Sequence, residues 1–278
     1  MKPNKKTPTD HRRAIAIAGV MAVAAVLVAL MICFEKLRDI WLEQCKIENF
    51  SEQVSITSGK MVKSDVLAWE FGLTNGANLA LIDFKRKREE ILRKIPNLRS
   101  ISILRKLPDK VTITTEERTP IAQLNYCGRK SATGKVVDSD GVVFICQRGT
   151  HMLPVIREPQ APGSAAGSVL SGRALAALRL VETCRQSEFL ELAIQEIDIS
   201  KRDYLFATLG NYSRVKIAWS GFDSENAGRK EDIERQLSML LMAIRSRIAP
   251  GTVIWNATDT SSPGRIYAAP WPGRSPTT

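Results

Sequence analysis

The chain has 278 residues, 44% hydrophobic and 25% charged, with a formal net charge of +11. This composition is that of a globular protein and excludes a fibrous or low-complexity chain. The length accommodates one large folded domain or two small ones. Five cysteines without a Cys-x-x-Cys pair, and only two histidines, give no zinc pattern.

Residues 1–13 carry five basic side chains against one acidic, Asp10. Residues 14–34 follow with no charge and no proline. At about 1.5 Å per residue they make a helix of roughly 30 Å, the thickness of a bilayer's hydrocarbon core. A cleaved signal peptide would have a shorter apolar run ending in an Ala-x-Ala site; this run is longer and ends on Met31-Ile32-Cys33-Phe34, so an uncleaved anchor is expected. The positive-inside rule places the tail in the cytoplasm and exports the rest. In that compartment the basic surface favours anionic headgroups or an acidic partner over nucleic acid.

Residues 35–44 form a juxtamembrane segment, with Trp41 at headgroup level. Val54-Ser55-Ile56-Thr57 reads as a strand, and Ser64 and Asp65 stand where a helix N-cap belongs. Asn75-Gly76-Ala77-Asn78 is a turn. In the next helix Phe84, Ile91, Leu92 and Ile95 share one face, while Lys85, Arg86, Lys87, Arg88, Arg93 and Lys94 cover the others. Alternation then gives strands over 100–104 and 110–115, separated by Leu107-Pro108-Asp109. The order strand, helix, helix, strand, strand predicts a small α+β module over residues 45–122.

From 123 to 268 a second, mostly β domain is expected. Strands flank the Asp138-Ser139-Asp140-Gly141 turn and continue at Leu153-Pro154-Val155-Ile156. A helix over 172–185 precedes strands at 196–200, 204–208 and 214–219. Ile233, Leu237, Leu240, Leu241, Ile244 and Ile248 stripe a helix over 230–248. Strands at 252–256 and 265–268 close the domain, and the proline-rich residues 269–278 are expected to be disordered. The fold class is thus α+β: a transmembrane helix, a small α+β domain, and a mixed sheet with two packed helices. Cys127 and Cys146 flank the hairpin, where a disulfide and two buried thiols are both open. The triplets Asn211-Tyr212-Ser213 and Asn256-Ala257-Thr258 read as chance glycosylation acceptors.

The stretch Ile95-Pro96-Asn97-Leu98, then Leu104-Arg105-Lys106-Leu107-Pro108-Asp109, then Glu117-Arg118-Thr119-Pro120-Ile121-Ala122, resembles the FtsQ/DivIB family of bacterial division proteins. Val137-Asp138-Ser139-Asp140-Gly141-Val142 and Leu153-Pro154-Val155-Ile156 match in the same order. Pro96, Arg105, Pro108, Asp109, Glu117, Arg118 and Pro120 are the motif positions. The resemblance implies a polypeptide-transport-associated (POTRA) domain, then a β domain, both outside the cytoplasmic membrane and at the septum. It implies a non-catalytic scaffold without cofactor, whose partners are small single-span coiled-coil proteins of the FtsB/FtsL type. It also implies a C-terminal sheet edge that takes a partner strand. Here that edge falls on Thr252, Val253, Ile254, Trp255, Asn256, Ala257 and Thr258. The chain departs from the family at Asn97, where a Trp is usual, and at Ile254-Trp255-Asn256-Ala257.

Two other classes were weighed. An exported cell-wall hydrolase would need His151 for a triad, but no Gly-x-Ser-x-Gly elbow exists. Glu116 and Glu117 are neighbours on a strand and point to opposite faces, and Asp138 and Asp140 are explained by their turn. No metal or catalytic site is expected. A POTRA-bearing transport component usually has several such modules or a barrel, and neither pattern occurs here.

Overall fold

The computed structural model describes residues 8–126, 134–146, 149–158, 165–211, 213–219, 227–246, 254–259 and 266–269. Helix α1 spans Pro8–Gln44, so the anchor helix runs ten residues past the apolar stretch, through the segment expected to be juxtamembrane. Its span Ala18–Gln44 is long and apolar enough to cross a membrane, and the most apolar window within it has no buried residue. Helical hydrogen bonds propagate through Glu35-Lys36-Leu37-Arg38 because none of these residues breaks a helix.

A single turn, α2 (Phe50–Gln53), leads into β1 (Val54–Thr57), α3 (Ser64–Phe71), α4 (Phe84–Lys94), β2 (Leu98–Lys106) and β3 (Lys110–Glu117). The predicted order of the module is present. Its sheet has the order β1-β3-β2, with β1 parallel to β3 in the register Val54 to Val111 and Ile56 to Ile113. Val111 and Ile113 are both buried, as their shared face requires. The cap of α3 needs correction: Ser64 is the first helical residue, and Lys63 holds the N-cap without a side-chain bond. Gly72, at φ +73°, ends that helix in the left-handed conformation.

The chain forms two compact units. The first comprises 1–58, 63–88 and 102–114; the second comprises 59–62, 89–101 and 115–278. In the first, Leu67, Ala68, Phe71, Leu79 and Phe84 are buried, with the Phe71 and Phe84 rings 6.0 Å apart.

In the second unit, nine strands make one sheet. They are β4 (Ala122–Tyr126), β5 (Lys135–Val137), β6 (Val143–Ile145), β7 (Val155–Glu158), β8 (Glu196–Asp198), β9 (Leu205–Thr208), β10 (Arg214–Ile217), β11 (Ile254–Ala257) and β12 (Tyr267–Ala269). Their order is β12-β11-β10-β9-β8-β7-β4-β5-β6. Helices α5 (Gly172–Cys184) and α6 (Ala227–Arg245) share its main core, through Ala177, Leu178 and Val181 of α5 and Ile233, Leu237 and Leu240 of α6. Strands β8 to β11 alternate buried and half-buried residues, so one face meets the helices and the other meets solvent. The β5–β6 hairpin differs, because both its faces are buried. Val137 and Val143 join the main core, whereas Val136, Phe144 and Cys146 form a small one of their own.

Candidate functional site

The family-motif residues act through hydrogen bonds, which residue pattern alone did not reveal. The Glu117 carboxylate, at the end of β3, accepts the backbone N–H groups of Lys60, Met61 and Val62 at 2.9, 2.7 and 2.8 Å. Charge-assisted bonds of this kind are short and strong. A Cβ at Gly59 would lie 2.2 Å from the Glu117 carboxyl carbon, so any larger residue there must push that carboxylate aside. Glu116, on the opposite side of the strand, bonds the Ser100 hydroxyl at 3.1 Å. The two carboxylates therefore do separate jobs, as strand geometry predicts.

Arg118 is the centre of the arrangement. Its N–H donates to the Asn97 carbonyl (2.8 Å) and its Nε to the Pro96 carbonyl (3.1 Å). Its Nη1 meets Asp138 Oδ2 at 2.5 Å and Asp140 Oδ2 at 3.5 Å. The side chains of Arg118 and Asp138 are 14% and 4% exposed, so this is a buried ion pair. Asp138 Oδ1 also accepts the Val142 N–H at 2.8 Å and closes the Gly141 turn. The expectation that turn chemistry alone explains Asp138 and Asp140 is thus incomplete. Asp140 is also gripped by Arg99 through two 3.2 Å contacts. Asn97, in place of the family's usual Trp, donates its side-chain amide to the Ile145 carbonyl at 2.8 Å.

The other motif positions are structural as well. Asp109, in the turn after Pro108, accepts the Gln53 side-chain amide (3.1 Å), and Gln53 Oε1 in turn accepts the N–H groups of Glu48 and Asn49. Arg105 stacks over the Phe84 ring at 5.4 Å. Pro120 is half-buried between β3 and β4.

At the C-terminal end of the sheet, the strand expected as an edge over residues 252–258 has a further strand beyond it among the described residues. Strand β11 is parallel to β10 on one side and antiparallel to β12 on the other. Trp255 and Ala257 are 6% and 1% exposed and belong to the main core. Ile254, Asn256 and Thr258 are half-buried, and Thr252 and Val253 lie outside the described residues. Among the described residues, the terminal strand is β12, with Tyr267 52% exposed. Beside it Met239, Met242, Ala243, Arg245, Ser246 and Ile266 line an open groove.

Asn256 Oδ1 accepts both the N–H and the hydroxyl of Thr258, and Asn211 Oδ1 does the same for Ser213. Local turn chemistry therefore accounts for both asparagine triplets. His151 is exposed in the turn before β7. Among the described residues, no group of three His, Cys, Asp or Glu side chains could hold a metal. Cys146 is buried, and Cys127 lies outside the described residues. Cys184, at the end of α5, is 6% exposed, and burial pushes its thiol up to about 12.

Residues 51–118 match the sequence profile of the POTRA domain, FtsQ-type. A stretch of 93 residues is 28% identical to the cell division protein FtsQ of Streptomyces collinus. That alignment covers 34% of this chain and 34% of the relative, so the chain spans about a third of the curated relative it matches.

Proposed function

Because the chain carries an FtsQ-type POTRA domain behind one apolar helix, we propose that it is a non-catalytic, membrane-anchored scaffold of the bacterial division complex. The observation that carries this reading is the FtsQ-type match over residues 51–118, and the FtsQ relative supports it. In this reading the basic tail is cytoplasmic. Residues 45–122 and 123–268 form the POTRA and β domains outside the membrane, at the septum.

The partners are small single-span coiled-coil proteins of the FtsB/FtsL type, and their docking site is the end of the sheet. A partner strand adds to β12, with Asn256 beside it on β11 and Thr258 just past the end of that strand. The groove along α6 supports this placement: Met239 and Met242 supply adaptable apolar surface next to the strand, and Met242 is 60% exposed. A Cys127–Cys146 disulfide and two buried thiols are both compatible with an oxidising compartment, and non-reducing peptide mapping distinguishes them.

Depletion in the native host, combined with affinity capture of the full chain from detergent-solubilised membranes, tests the proposal. Failed septation and recovery of small single-span coiled-coil proteins are expected. Normal septation without such recovery would refute it.

A further inference from the structure

The first compact unit contains both the end of α1 and the loop after α3, and the two are bonded directly. Asn78 donates its side-chain amide to the Leu42 carbonyl at 2.8 Å, and the Leu79 N–H donates to the Cys45 carbonyl at 2.9 Å. No free linker separates the helix from this loop. From Phe34, where the apolar stretch ends, to Leu42 is eight residues, or about 12 Å along the helix against roughly 5–8 Å for one headgroup layer. Carbonyls of a last helical turn point onward along the axis. The Leu42 carbonyl, and Asn78 with it, thus lies just outside the headgroup layer.

Three residues beyond Asn78 stands Leu81, 73% exposed, the most exposed large apolar side chain described in that unit. Helix α4 then opens on Lys85, Arg86, Lys87 and Arg88 with no acidic residue in its first turn. Cations at that end oppose the helix dipole, so helix stability does not explain their position. Lys87 reaches the Glu70 carbonyl at 3.2 Å, whereas Lys85 and Arg88 are exposed. Asp83 lies between Leu81 and these cations and is engaged in capping the helix, accepting the Arg86 N–H at 3.0 Å. An exposed apolar residue with exposed cations one turn on, held beside a bilayer, matches the chemistry of an anionic lipid surface.

We propose that Leu81, Lys85 and Arg88 form a membrane-docking surface that binds anionic headgroups and seats the POTRA domain on the bilayer. This inference rests on α1 spanning the membrane. The test is amide hydrogen exchange of the full chain in nanodiscs of phosphatidylcholine alone or mixed with phosphatidylglycerol. Each basic side chain near an anionic surface multiplies docking about fivefold, so Lys85 and Arg88 together slow exchange over residues 79–88 by up to about twenty-five-fold in the anionic nanodiscs. Exchange of β9 and β10 does not change. The protection disappears in the Lys85→Glu/Arg88→Glu variant and in high salt, and it weakens in Leu81→Ser.

Equal exchange in the two bilayers, protection that survives charge reversal, or protection that needs an added protein would overturn the docking surface. Those results would leave the anchor intact. A chain that enters neither nanodisc would instead overturn the anchor, and the docking surface with it.

Discussion

Replacing Arg118 with Ala removes one guanidinium and exposes what depends on it. Asp138, 4% exposed, keeps only its bond from the Val142 N–H and loses its counter-charge at 2.5 Å. The Pro96 carbonyl loses its Nε donor. Asp140 is affected less, because Arg99 still holds it. Breaking a buried pair from one side costs about 3–5 kcal/mol; Asp138 is partly satisfied, so about 3 kcal/mol is expected. In a domain of this size that lowers Tm by roughly 6–12 °C.

Arg118→Lys keeps the charge but cannot bond Asp138 and Pro96 together, and about 1–2 kcal/mol is expected. The assay is thermal and urea unfolding of the full chain in mild detergent. Arg118→Ala, Asp138→Ala and the double variant form a cycle with a coupling of about 2 kcal/mol. Screening reaches a buried pair poorly, so the loss persists in high salt. An Arg118→Ala variant within about 0.5 kcal/mol of the parent, or a coupling near zero, would refute the reasoning.

Glu117→Gln weakens three amide bonds and should cost about 2 kcal/mol, with faster amide exchange at residues 60–62. Gly59→Ala should give the same exchange signature, because its Cβ displaces the Glu117 carboxylate. Trp255→Ala should destabilise by about 3–5 kcal/mol, since the indole fills the core; unchanged stability with lost partner capture would instead make Trp255 a contact residue. Burial pushes the Cys184 thiol up to about 12 from the ordinary thiol value of 9.0, which it regains on exposure to water. Its contribution is complete below pH 9 and lost as pH rises towards 12, reaching about 4 kcal/mol at the limit. Unfolding measured against pH should show a shallower alkaline decline in Cys184→Ala.

Much of the architecture was legible because it is local. Val111 and Ile113 alternate on one face, Ile233, Leu237 and Leu240 repeat at helical spacing, and Asp138 with Gly141 spells a turn. The non-local partners were not. Asp138 satisfies a turn completely, which hides its second oxygen's bond to Arg118, twenty positions away. The sheet edge over residues 252–258 is what the family resemblance implies; Ile254-Trp255-Asn256-Ala257 has a strand on each side, and no local residue pattern announces that second neighbour. The apolar run marks the membrane-spanning residues but not the end of the helix, since charge alone does not stop a helix and α1 continues to Gln44.

Site-specific photocrosslinking in living cells tests the central claim most directly, with the probe placed at Tyr267 on β12 and, as a control, at Phe206 on β9. The scaffold account predicts one adduct from position 267, to a small single-span coiled-coil protein, and none from 206. No adduct at 267 in dividing cells, or equal adducts at both positions, would contradict it.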